Sequence, residues 1–114
     1  MPYLRIQTNQ ELGHHKKQEL LQQASSAVAT GLGKPEKYVM VSIAPTQPMV
    51  FAASDAPCAY LELKSIGLPA NKTKDLSSVL CKLVHETTGI NTDRIYIEFF
   101  DAPREMWGWN GGTF

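Results

Sequence analysis

One pattern occurs twice in this chain, and it narrows the possible folds more than any other feature. Residues 2–45 and 58–101 carry the same succession of strand, helix and strand at an offset of 56 residues. Strand starts pair as Pro2 with Cys58 and Tyr38 with Arg94. Helix positions pair as Leu20 with Leu76, Ala24 with Leu80 and Val28 with Val84, and helix stops pair as Gly33 with Gly89. Identity is faint, but apolar periods and stops agree together, as a duplicated supersecondary unit requires. Each unit reads as a right-handed crossover between parallel strands. Two units make one four-stranded sheet, and their two helices can cover only one of its faces.

Periodicity and punctuation set the elements. Leu4 and Ile6 alternate with Tyr3, Arg5 and Gln7, which predicts a strand over 2–8. Leu20, Leu21, Ala24, Ala27, Val28 and Leu32 predict a helix over 13–31, ended by Gly31 and Gly33 and kept from resuming by Pro35. YVMVSIAP predicts a strand over 38–45, and Met49-Val50-Phe51 a short extended piece before the turn residues 54–57. CAYLELKSI over 58–66 and RIYIEFFD over 94–101 complete the sheet. Leu76, Val79, Leu80, Leu83, Val84 and Thr87 place a helix over 73–88. The fold class expected is α+β, two layers in a single domain over 1–114, with an aromatic and glycine-rich tail over 102–114.

Strands two and four are apolar on both sides: Val39, Val41 and Ile43 against Tyr38 and Met40, and Ile95, Ile97 and Phe99 against Tyr96 and Phe100. Such strands want cover on both faces. With no third helix, the second face is expected to pack against other copies of the chain, which benefits a small domain most.

Charge and composition exclude several functions. Eleven basic and eleven acidic residues cancel, and no basic run suggests a nucleic-acid partner. No apolar run approaches the ~20 residues that span a bilayer. A first strand beginning at residue 2 leaves no room for a signal peptide, so a cytoplasmic location is expected. Cys58 and Cys81 form no CxxC or zinc pattern and are expected to be buried thiols. His14 and His15 are adjacent and diverge on a helix, and His85 is alone. No metal and no cofactor are expected.

Five segments in order then resemble the macrophage migration inhibitory factor family of the tautomerase superfamily. They are Pro2 behind the initiator, Gly33-Lys34-Pro35 with Tyr38, Ser65-Ile66-Gly67, Asp93-Arg94-Ile95-Tyr96-Ile97, and Gly108-Trp109-Asn110 with Thr113-Phe114. The resemblance runs over essentially the whole chain. It implies a homotrimer in which three sheets form a barrel-like core, with a site at the subunit boundary. It also implies keto–enol tautomerisation of aryl 2-oxo acids such as phenylpyruvate, with dopachrome as an in vitro substrate.

The same resemblance assigns roles. Removal of Met1 would expose Pro2 as a secondary amine. Burial and a nearby cation would lower its proton affinity into the range of a general base. On the residues alone, a proline at a strand's first position is also simply tolerated there. Lys34 would anchor the substrate carboxylate or carbonyl, although a lysine after a helix C-terminus is also favoured by the dipole. Ile66 would offer a backbone N–H, with Ser65 beside it. Tyr96 from a neighbouring subunit would close the pocket, or be an ordinary strand aromatic. Trp109 and Phe114 would form apolar walls.

Some positions depart from the family pattern. Cys58-Ala59-Tyr60-Leu61 lacks the second thiol of Cys-x-x-Cys, which argues against thiol–disulfide chemistry by that motif. Glu98 replaces an asparagine at the far end of the pocket, and Trp107 replaces a smaller aliphatic at its rim. Thr46 replaces an acidic residue linked to receptor contact. That loss argues against a cytokine role; the alternative carried beside the enzyme is a trimeric binding or cytokine-like module with weak tautomerase activity.

Overall fold

The computed structural model describes residues Met1–Phe114. Four strands, β1 (Tyr3–Thr8), β2 (Met40–Ile43), β3 (Ala59–Ile66) and β4 (Ile95–Ala102), form one sheet in the order β2-β1-β3-β4. Within each repeat the strands are parallel; where the repeats meet, β1 and β3 run antiparallel, with Leu4 opposite Leu63 and Ile6 opposite Leu61. Helices α1 (His14–Leu32) and α2 (Thr73–Thr88) pack against each other over this seam. Leu20, Ala24 and Val28 from α1 and Leu76, Leu80 and Val84 from α2 are all buried there with Leu4, Ile6, Leu61 and Leu63. The residues paired by the sequence repeat are thus the buried faces of the two helices. No helix is long and apolar enough to cross a membrane.

Three local expectations change. Gly31 lies inside α1 and does not end it. A Cβ there would come 2.6 Å from Leu76 Cδ2, so the glycine gives α2 room to approach. Gly33 is the terminator, donating its N–H to Thr30 O at 3.3 Å. Tyr38 lies outside β2: Glu36–Tyr38 is a single 3₁₀ turn in which Tyr38 N donates to Pro35 O at 3.1 Å. Pro35 favours this turn because its ring fixes φ. The strand then begins at Met40 and ends early. Ala44 N still donates to Ile6 O at 2.9 Å, but Pro45 has no N–H to offer. Of the two thiols, Cys58 is buried and Cys81 only half-buried.

The piece around Phe51 is a tight loop. Phe51 and Ser54 exchange both backbone hydrogen bonds, at 2.9 and 3.1 Å, across Ala52 and Ala53, which have φ of 53° and 59°. Left-handed alanines are strained. Arg94 holds the loop down, donating to the carbonyls of Phe51, Ser54, Ala56 and Pro57 at 3.0–3.1 Å.

The tail is a second small hairpin, β5 (Gly108–Trp109) with β6 (Gly112–Thr113). Its two-residue loop, Asn110-Gly111, has φ of 51° and 80°, the positive pair a type I′ turn needs.

Away from the helices the sheet is open. Its edges are apolar: Met40 is 65% exposed on β2, and Tyr96 and Phe100 are 63% and 55% exposed on β4. Its two central strands instead place Arg5 opposite Glu62, between the pairs Tyr3–Lys64 and Gln7–Tyr60. The expectation of apolar strands on both sides therefore holds at the edges for Met40, Tyr96 and Phe100 but not for Glu98, which lies beside Glu62, and the middle of the open face mixes charged groups with two tyrosines.

Candidate functional site

A cavity of about 400 Å³ opens where the chain begins, lined by Met1, Pro2, Tyr3, Lys37, Tyr38, Val39, Met40, Trp107, Gly108, Trp109 and Phe114. The sheet order explains its position. β1 is a central strand, so the residue before it is flanked and cannot fray. Met40 N donates to Pro2 O at 3.0 Å, extending the ladder by one rung, and Pro2 is fully buried.

Aromatic rings form one side. Trp109 stacks on Phe114 with centroids 5.3 Å apart, and Tyr38 sets its edge against both at 5.8 and 6.2 Å. The Asn110-Gly111 hairpin makes the stack possible by folding Trp109 back toward the end of the chain. Phe114 N donates to Trp107 O at 3.3 Å and fixes it.

One cation, Lys37, lines the cavity, and others lie near it. Lys37 Nζ lies 5.1 Å over the Tyr38 ring. Lys34 directs its ammonium to Gly67, where a Cβ would sit 3.7 Å from Nζ. Gly67 has φ of 65°, so it both makes the turn after β3 and leaves space for the ammonium. Leu68 N donates to Asp101 Oδ1 at 3.0 Å and holds that turn. The amine of Met1 is held below its usual value of 8.0, first by burial, then by the charges of Lys34 and Arg104. An amine at this end of the chain is therefore biased toward its neutral form. In the chain as described, the Pro2 nitrogen is acylated by Met1 and is an amide, not a base.

Among the expected site residues, Pro2, Trp107, Trp109 and Phe114 line one cavity. Lys34 meets Gly67, the residue after Ser65-Ile66, and its charge is felt at the Met1 amine in the cavity. Ser65 is buried, and its hydroxyl donates to Ile66 O at 3.0 Å, so it orients the backbone next to it. Tyr96 and Glu98 lie elsewhere on the chain. Tyr96 packs on Phe51 at 4.6 Å beside a second apolar hollow of about 500 Å³ that includes Met49, Val50, Cys58 and Tyr60. Glu98 accepts a hydrogen bond from Tyr60 Oη at 2.9 Å, and that carboxylate raises the Tyr60 pKa above 10.0. No three His, Cys, Asp or Glu side chains come together as a metal site.

Tyr38, Lys37, Met40 and Arg104 are the site residues that sequence reasoning did not assign. Tyr38 stood in the quoted motif but was read as a strand residue. Asn110-Gly111 is a strong hairpin signal that would have folded Trp109 onto Phe114. Lys37 and Arg104 carry no local signal, since isolated surface cations have none.

The model of the macrophage migration inhibitory factor (MIF) family matches residues 1–114. A macrophage migration inhibitory factor homolog from Brugia malayi is 40% identical over 115 residues, covering 100% of this chain and 99% of that protein. Macrophage migration inhibitory factor from Meriones unguiculatus is 38% identical over 96 residues, covering 83% and 84% of the two chains. Among solved structures, the homologue from Prochlorococcus marinus superposes with a TM-score of 0.93 at 43% identity, covering 98% of each chain.

Proposed function

Because the chain belongs to the macrophage migration inhibitory factor family of the tautomerase superfamily, we propose that it is a cofactor-free keto–enol tautomerase of aryl 2-oxo acids, phenylpyruvate among them, with Pro2 as the base. Dopachrome is the corresponding in vitro substrate. The observation that carries the reading is a buried proline at the floor of an aromatic cavity, at an end of the chain where burial and two cations disfavour a protonated amine.

Once Met1 is removed, Pro2 nitrogen is a secondary amine with a free lone pair. It takes a proton from C3 of the 2-oxo acid, and the C3 electron pair forms the C2–C3 double bond. The carbonyl oxygen gains the negative charge and receives the proton that Pro2 carries, which completes the enol and restores the free amine. Lys34 holds the carboxylate and draws charge toward the developing enolate. The Ile66 N–H supplies a further donor. Trp107, Trp109 and Phe114 take the aryl ring and exclude water, which strengthens each of these contacts.

The reading includes a homotrimer. Tyr96 and Glu98 would enter the cavity from a second copy, whose sheet edge covers the exposed Met40, Tyr96 and Phe100. Two free cysteines suit a reducing cytoplasm.

The test compares enolisation of phenylpyruvate by the processed chain, the chain retaining Met1, and Pro2→Gly. Loss of a positioned base typically costs about 10²–10⁴-fold, and that is the expected drop in both altered forms. Equal rates in all three would refute the enzyme and leave a binding module.

A further inference from the structure

The chain has four asparagines, Asn9, Asn71, Asn91 and Asn110, and one of them is placed to react with its own backbone. Asn9 is locked: its Nδ2 donates to the carbonyls of Asp55 and Ala56 at 3.0 and 3.2 Å, and its Oδ1 accepts from Cys58 N at 2.9 Å. Asn71 and Asn91 are exposed, but Lys72 and Thr92 follow them and crowd the next backbone nitrogen. Asn110 is exposed and is followed by Gly111, which is also exposed and has no side chain. A Cβ added at Gly111 would meet nothing within 4 Å, so the approach to its nitrogen is open. That nitrogen sits in the two-residue loop between β5 and β6 and donates to no backbone carbonyl. A carboxamide next to an unhindered, unbonded amide nitrogen is the arrangement that makes asparagine thermolabile.

The hairpin gives the reaction a gate. Ring closure needs Asn110 to leave its left-handed turn conformation, with φ of 51°, and to bring Cγ over the Gly111 nitrogen. Two residue pairs close the hairpin, Gly108 with Thr113 and Trp109 with Gly112. A two-stranded ribbon is marginal by itself. The stack of Trp109 on Phe114, at 5.3 Å, and the Phe114 N–H on Trp107 O hold this one shut. Exposed end segments open at little cost.

We propose that Asn110-Gly111 is a self-modifying site, which deamidates through a succinimide and thereby dismantles the aromatic wall of the cavity. The Gly111 nitrogen gives its proton to solvent and bonds to Asn110 Cγ. The Cγ–Nδ2 bond breaks, and Nδ2 takes a proton from water and leaves as ammonia. Water then opens the ring at either carbonyl, and it is the only co-reactant. Attack at Cγ leaves aspartate. Attack at the main-chain carbonyl leaves isoaspartate, whose backbone runs through Cβ and Cγ and is longer by one atom. Asp-Gly still suits a type I′ turn. The lengthened loop does not: it breaks the pairing of Trp109 with Gly112, and Trp109 comes off Phe114. The proposal stands on the hairpin and needs nothing from the tautomerase reading.

Incubation of the intact chain at mildly alkaline pH tests it. Peptide mapping reads deamidation at each asparagine, isoaspartyl methyltransferase labels the isoaspartate, and the fluorescence of Trp107 and Trp109, the two tryptophans of the chain, reads the wall. Asn110 should convert several-fold faster than Asn9, Asn71 or Asn91, and fluorescence should change in step with isoaspartate. Asn110→Gly keeps a pair that suits the turn but has no carboxamide, so it should hold its starting fluorescence throughout. Freshly prepared Asn110→Asp should match the fresh parent, which separates the lengthened backbone from the added charge. Phe114→Ala, with circular dichroism showing the rest of the fold intact, should convert several-fold faster than the parent. Conversion at Asn110 no faster than at Asn71 or Asn91 would overturn the inference, as it would if a second copy covered the hairpin tip. Isoaspartate that accumulates with unchanged fluorescence would overturn the loss of the wall, and an unchanged rate in Phe114→Ala would overturn the gate.

Discussion

At the residue scale, the properties of the site come from what surrounds single groups. The Met1 amine has its ordinary value of 8.0 when unfolded and a lower one when folded. Above 8.0 both states are neutral and the fold pays no penalty; as pH falls through the folded value, stability is lost because the unfolded chain binds the proton first. The chain retaining Met1 should therefore melt at higher temperature above pH 8.0 than at neutral pH. Acetylation of its amine should flatten that profile, and a melting temperature that rose on acidification across this range would contradict the burial described here. Glu98 offers a second case. An ionised carboxylate only accepts hydrogen bonds, whereas asparagine also donates. Glu98→Asn should raise turnover of phenylpyruvate or a ring-hydroxylated analogue, and the Tyr60 phenol, freed of its charged acceptor, should titrate closer to 10.0. No gain with either substrate would remove Glu98 from the site.

At the element scale, the sequence was most legible where several weak signals agreed. The helix over 73–88 and the strand limits near 58–66 and 94–101 followed from period and stop together, and their paired apolar residues are the core. It was least legible where one residue serves a tertiary need. Gly31 looks like a terminator in one dimension, and only the position of Leu76 shows that it provides space. Tyr38 has the composition of a strand, but Pro35 three residues earlier turns the backbone. The Phe51–Ser54 loop was equally hidden, because nothing local predicts two left-handed alanines. Arg94 supplies what the loop lacks, and lysine cannot replace a planar fork that reaches four carbonyls. Arg94→Lys should lower stability by about 1.5–3 kcal/mol, the usual worth of charge-assisted hydrogen bonds. It should also raise amide exchange over residues 51–57. Unchanged exchange there would show that the loop holds itself.

At the scale of the whole molecule, the open sheet face divides by chemistry. Apolar side chains at the edges suit contact with neighbours, while Arg5 opposite Glu62 and the exposed Lys64 make the middle polar. The ring of copies proposed above meets both demands. Which residues cross between copies was not legible, because one chain cannot show its own complement. Phe100→Asp should reduce the sedimentation coefficient to that of a single chain and take enolisation down with it. An active single chain would show that Tyr96 and Glu98 have no part in the reaction. The cavity wall also includes Met1 and Phe114 together. An affinity handle fused at either terminus would therefore sit in the doorway, and one at the front would cap the Pro2 nitrogen. A chain so tagged would be folded yet inert, and surveys that rely on terminal fusions would miss the proposed activity.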